Sequence, residues 1–163
     1  MLRLIVSILV LISMTYAQKH EIVRLSGDEF NRPVEPSIAI NPQNPDNIIA
    51  ASIRYGHSYE TRVVNMRYHS RDAGKTWTTY TESNPKLRSQ GDDALAFSAD
   101  GIAYHSYISF RGLRTNRTQA NGIWMTRSDA NTDRWNEPVV VVDHVNTLRP
   151  YEDKPYLVVD NSK

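Results

Sequence analysis

The chain has 163 residues, with 19 Lys and Arg against 18 Asp and Glu, a formal net charge of +1 and no cysteine. That even balance excludes the broad basic face by which a protein holds a polyanion such as DNA. With no disulfide available, a folded state must rest on packing alone.

In chain order, residues 1–17 (MLRLIVSILVLISMTYA) place Arg3 ahead of an apolar run from Leu4 to Met14, followed by Thr15-Tyr16-Ala17. This is the three-part pattern of a secretory signal peptide, with cleavage expected after Ala17. The apolar run is shorter than the roughly 20 residues of a spanning helix. Cleavage removes one Arg and no acid, so the exported chain is expected to be neutral and extracellular or periplasmic.

After a lead-in over 18–34, the strand signals come in fours. Residues 37–41 are followed by the turn NPQNPDN and then by 48–54, 63–70 and 77–81. A second set covers 94–98, then the turn Ala99-Asp100-Gly101, then 102–110, 122–127 and 135–142. These segments are short, rich in Val, Ile, Tyr and Thr, and punctuated by Asn, Asp, Gly and Pro, so the chain is expected to be all-β. The basic stretch RGLRTNR reads as a solvated loop, and Asn116-Arg117-Thr118 is a glycosylation sequon.

The two sets are copies. EPSIAIN, DDALAFS and KPYLVVD share one pattern, and aligning Ile38, Leu95 and Leu157 gives spacings of 57 and 62 residues. Trp77 and Trp135 repeat the period at 58. A period of this size with four strands per copy is that of a β-propeller blade. The expected units are 35–90, 91–150 and the start of a third at 151–163. Propellers close with roughly four to eight blades, so the chain is expected to be the N-terminal part of a longer, six-bladed protein.

The stretch Ser70-Arg71-Asp72-Ala73-Gly74-Lys75-Thr76-Trp77 has a turn's chemistry. Asp72 can accept hydrogen bonds from backbone N–H groups within the turn. Gly74 suits a positive φ, and Trp77 offers a large ring for burial between sheets. The pattern Ser-x-Asp-x-Gly-x-Thr-Trp resembles the Asp-box, or BNR repeat, of sialidase-like propellers. The resemblance extends through nearly all of the exported chain. It implies a structural hairpin on the outer rim, built from Ser70, Asp72, Gly74, Thr76 and Trp77, away from the axis where ligands bind. A worn copy, Ser128 to Trp135, keeps those two end residues but has Ala130 in place of Asp and Thr132 in place of Gly. Asp129 or Asn131 is left to cap that turn.

The same resemblance implies where sialidase chemistry would sit. The family opens its first blade with Tyr/Phe-Arg-Ile-Pro, whose Arg clamps the substrate carboxylate. Here Val34-Glu35-Pro36 stands instead, and Arg32 lies two residues upstream. Arg54 matches the Arg of the family's Glu-x-Arg. Where the general-acid Asp is expected this chain has His57 and Ser58, with Glu60 as the nearest carboxylate. Arg32, Arg54 and Glu60 are therefore the catalytic candidates, and the family's Tyr/Glu nucleophile pair would lie beyond residue 163.

Glu35, Asp92, Asp93, Glu152 and Asp153 precede the innermost strands. At a propeller's mouth they would form an acidic ring suited to Ca²⁺, a cation or a polyhydroxy ligand; the alternative is that they cap strands and face water. Tyr55, Tyr59, Tyr104 and Tyr107, with His57 and His105, could line the mouth or sit half-buried in the sheets. The histidines have no metal-site spacing, and no cofactor is expected. Three functions follow: an exported domain that recognises a carbohydrate or glycoconjugate, an active exo-sialidase, or a non-catalytic scaffold for a protein partner.

Overall fold

A computed structural model describes residues 21–26, 32–55, 63–111, 119–147 and 149–162. They form eight strands: β1 (Val34–Ile40), β2 (Ile48–Arg54), β3 (Val64–Ser70), β4 (Thr78–Thr81), β5 (Ser89–Phe97), β6 (Ala103–Arg111), β7 (Ala120–Arg127) and β8 (Val139–Val145). Each run of four pairs in chain order into one antiparallel sheet, β1-β2-β3-β4 and β5-β6-β7-β8. No helix occurs among the described residues, and so none long and apolar enough to cross a membrane.

Side chains alternate across each strand, and the first sheet uses both faces. Ile49 of β2, fully buried, packs with Phe97 and Ala103 of the second sheet, joined by Ala39, Leu95 and Trp135. Burying an isoleucine in this way contributes about 1.5–3 kcal/mol. The opposite face gathers Ala50, Met66, Tyr68, Val64 and Trp77 under Leu25 of the lead-in. The sheets thus pack face to face, with β5 lying over β1, β2 and β3.

Three strands depart from expectation by three residues or more, the first of them β1, which begins at Val34 and not at 37 because its pairing continues across a bulge between Val34 and Ser37. Trp135 does not begin the last strand: it makes only an isolated bridge with Ser128, and β8 starts at Val139. Pro138 breaks the run between them, since it has no N–H to give to a ladder. The fifth strand begins earlier than residue 94, at Ser89, because a bulge between Gly91 and Ala94 lets the pairing continue past Asp92 and Asp93. Residues 151–162 have no strand assignment. They nevertheless run beside β5: Lys154 N donates to Asp92 Oδ2 at 3.2 Å, and Asn161 Oδ1 accepts from Ala99 N at 2.7 Å.

Contacts between units repeat at about one period. Leu95 N donates to Ser37 Oγ at 3.2 Å, and Gln43 Nε2 donates to Ala99 O at 2.6 Å. Arg71 Nη1 donates to Asn131 O at 3.0 Å and pairs with Asp133. Ser83 Oγ donates to Glu137 at 2.9 Å.

Candidate functional site

The antiparallel order puts two kinds of connection at opposite ends of the sheets. The β1–β2 turn and the Ser70–Trp77 hairpin lie at one end. Glu35, the β2–β3 connection and the approach to β5 lie at the other. A seven-residue strand spans roughly 23 Å, which separates the hairpin from the strand entrances.

The hairpin is closed by its own side chains. Asp72 Oδ1 accepts from Thr76 N at 2.8 Å, and Oδ2 accepts from Thr76 Oγ1 at 2.6 Å. Ser70 Oγ donates to Asp72 at 2.8 Å while accepting from Gly74 N at 2.8 Å. Trp77 Nε1 donates back to Gly74 O at 2.8 Å. Gly74 has φ +85° and Ala73 φ +59°. The hydrogen bonds from Thr76, first through its hydroxyl and then its amide, hold the Asp72 carboxyl down at about 2. Trp77 packs on its own sheet's outer face, whereas Trp135 is the ring lying between the sheets, with the Arg67 guanidinium 3.8 Å from its centre.

In the second hairpin Asp129 supplies the cap, its Oδ1 accepting from Asp133 N at 3.0 Å. Ser128 Oγ accepts from Ala103 N at 2.9 Å. Thr132, in the glycine's place, adopts φ +59°. Its Oγ1 reaches the first sheet, 2.9 Å from His69 Nε2 and 3.2 Å from Asn47 Oδ1. Burial, then the charge of Arg71, lowers the His69 pKa to about 4, so this partner is a neutral imidazole.

At the other end Glu35, Asp92, Asp153 and Lys154 come together. Lys154 Nζ lies 2.9 Å from Glu35 Oε2, across 119 residues of sequence. Asp92, 8% exposed, shares hydrogen bonds with Glu35 and Asp153. Burial first, then those two carboxylates, push its pKa up to about 7. Hydrogen bonds from Asp92 and Lys154 lower that of Glu35. Asp92 therefore keeps its proton towards neutrality and donates it to a neighbouring carboxylate. Glu35 and Lys154 stay exposed.

The other acids expected in this ring lie elsewhere. Asp93 turns into the space between the sheets, its Oδ1 2.6 Å from His105 Nε2. His105 is fully buried, and its Nδ1 lies 2.8 Å from Glu82 Oε2, which also accepts from Arg67 Nη1 at 2.6 Å. Burial opposes charge on His105, but the hydrogen bonds it donates to Asp93 and Glu82 outweigh it and raise its pKa to about 9. Burial likewise opposes charge on Glu82, yet the His105 hydrogen bond and the charges of His105 and Arg67 prevail, and its pKa is lowered. This ladder of Arg67, Glu82, His105 and Asp93 escapes sequence reading, since alternation assigns a face but not a partner. Glu152 hydrogen-bonds His144 Nε2 at 2.8 Å. Tyr107 is buried, donating to Ser83 O at 3.2 Å, so neither His105 nor Tyr107 lines the mouth. Tyr55 is exposed and Tyr104 half-buried.

Among the catalytic candidates, Arg32 is exposed just ahead of β1, and Arg54 is half-buried at the end of β2, both at the Glu35 end. Glu60, His57, Ser58 and Tyr59 lie outside the described residues, as does the sequon. No group of three or more metal-ligating side chains with metal geometry occurs among the described residues, so the acidic cluster does not resemble a Ca²⁺ cage.

No protein-family model and no curated protein matches the chain. Among solved structures it is similar to a protein of unknown function from Dyadobacter fermentans, with 18% identity and a TM-score of 0.49 over 66% of this chain and 35% of that one. It is also similar to Trypanosoma rangeli sialidase in complex with the inhibitor DANA, with 15% identity and a TM-score of 0.46 over 68% of this chain and 21% of that one. The chain thus spans about a third and a fifth of these neighbours' lengths.

Proposed function

We propose that the chain forms the first units of an exported Asp-box β-propeller, whose axial mouth recognises a neutral or amino-bearing glycan and does not cleave sialosides. The observation that carries this reading is the meeting of Glu35, Asp92 and Lys154, one residue from each of three successive units. Sheets stacked in parallel stand about 10 Å apart, which would hold the first and third strand entrances roughly 20 Å from each other. Their direct contact calls for units that fan about an axis, with these ends innermost.

The chemistry of that mouth favours hydroxyls. Ionised carboxylates accept hydrogen bonds from adjacent sugar hydroxyls, and the exposed Lys154 ammonium can donate to a sugar oxygen. Arg32 and Arg54 lie at the same end of the sheet, but within the cluster itself Glu35 and Asp153 face the single Lys154, a local excess of negative charge that disfavours a sialic acid carboxylate there. Val34, where the family's clamping Arg belongs, points the same way.

Binding to a panel of neutral, amino-bearing and sialylated oligosaccharides tests the reading. Retention of neutral or amino-bearing glycans, lost at least about tenfold in Asp92→Ala, is expected. Release of fluorophore from a sialoside would overturn it.

A further inference from the structure

On leaving β8 the chain crosses the Glu35 end of the second sheet. Val145 pairs with Ala120, the first residue of β7, and Ala120 with Arg111, so β8 runs toward the end where β5 begins. From there the chain leads to Lys154 and its contact with Glu35. One side chain holds this crossing. Asn121, 1% exposed, has its Nδ2 3.4 Å from both Thr147 O and Pro150 O, while its Oδ1 accepts from Glu152 N at 2.8 Å. Glu152 is tied in turn to His144 at 2.8 Å, and Lys154 N donates to Asp92 Oδ2 at 3.2 Å.

Those bonds fasten the backbone on either side of Tyr151, and none of them uses its side chain. Tyr151 is 37% exposed. Burial first, then the nearby Asp153 and Asp92, raises the pKa of its phenol. The backbone route agrees, since Lys154, three residues on, touches both Asp92 and Glu35. An aromatic ring on a fixed stretch of backbone thus stands beside the carboxylates and the ammonium.

A sugar needs both kinds of surface. A pyranose carries hydroxyls around its edge and C–H groups on its faces. Carboxylates and an ammonium satisfy the edge, but water satisfies it as well, so polar groups alone leave a modest net gain. An aromatic ring adds what water does not: apolar area removed from solvent, with the negative π face against the C–H hydrogens. Tyrosine supplies this with little loss of rotamer freedom, and with less still where its backbone is already fixed.

We infer that Tyr151 is the stacking residue of this site, and that its sugar is a pyranose with an unbroken C–H face, of the glucose or galactose type. The role rests on the glycan recognition proposed above. The polar cluster reads the edge of the sugar ring, and Tyr151 reads its face.

Binding of neutral oligosaccharides of the glucose and galactose series to the full chain, followed by NMR of the sugar, tests the assignment. In the wild type, C–H protons on one face of a bound pyranose are expected to shift upfield in the ring current of the stacked tyrosine. Tyr151→Phe should keep that signature and bind within about threefold of wild type, whereas Tyr151→Ala should bind at least about tenfold more weakly. Tyr151→Leu keeps apolar bulk without a ring. It should leave the amide signals of Glu35, Asp92 and Lys154 in place and lose the upfield shift. An upfield shift that survives in Tyr151→Leu, or undiminished binding by Tyr151→Ala, would overturn the role of Tyr151 and leave glycan recognition standing. A wild type that binds none of these sugars would contradict the proposed function itself, and the stacking role with it.

Discussion

Asp72 and Thr132 occupy hairpins at equivalent places in the two sheets and solve different problems. Asp72 ties its own turn together through Thr76 and Ser70, contacts all within four residues. Those contacts were legible because sequence spacing fixes them. Thr132 was legible only as a loss of glycine; its contacts lie 63 and 85 residues away, on His69 and Asn47. Its left-handed φ costs roughly 1–2 kcal/mol, and each net hydrogen bond returns about 0.5–1.5 kcal/mol. Thr132→Ala keeps the strained backbone and loses the hydroxyl, so it should destabilise by about 1 kcal/mol in urea titration. Thr132→Gly loses the same hydroxyl but relieves the strain, and should fall closer to wild type. The reverse order would show that the left-handed backbone at this position carries little strain.

At the scale of elements, β6 carries the buried charge that joins the two sheets. His105 faces the first sheet because alternation places it on the side of Ala103 and Tyr107, between Asp93 of β5 and Glu82 after β4. Strand identities were largely legible from composition and punctuation, since Val, Ile, Tyr and Thr runs lie between Asn, Asp, Gly and Pro. The ladder was not, because its partners come from separate strands and loops. Its consequence for pH has a definite sign. His105 is raised from 6.5 to about 9, so its stabilisation is complete below about pH 6.5 and is lost as pH rises through 9. Asp92, raised from 3.8 to about 7, contributes a separate fall between about pH 4 and 7. The interval from pH 7 to 9 therefore isolates His105. Denaturation midpoints measured across it should decline in the wild type, and His105→Gln, where it folds, should flatten that slope. An equal slope in the variant would assign the effect to another group.

For the molecule as a whole, the arrangement of the ends matters more than either sheet. The repeat of 57 and 62 residues was legible from three hydrophobic runs and two tryptophans, and successive units touch at similar separations. The cluster of Glu35, Asp92, Asp153 and Lys154 was legible in part. Glu35, Asp92 and Asp153 were identifiable as acids ahead of inner strands, whereas Asp93 was indistinguishable from Asp92 until the bulge sent the two to opposite sides. Lys154 was missed because the acids beside it suggested a ring of one sign. Its ammonium changes the reading from a cation cage to a mixed polar mouth.

Under the proposed function the Glu35–Asp92–Lys154 cluster recognises hydroxyl-rich, uncharged or amino-bearing sugars. Chemical-shift titration of the protein with a neutral oligosaccharide and, separately, with its sialylated counterpart tests it most directly. Saturable shifts are expected at Glu35, Asp92 and Lys154 with the neutral sugar, none at Asp72 or Thr76 in the distant hairpin, and weaker shifts with the sialylated one. Shifts centred on the hairpin, or stronger binding of the sialylated sugar, would contradict it.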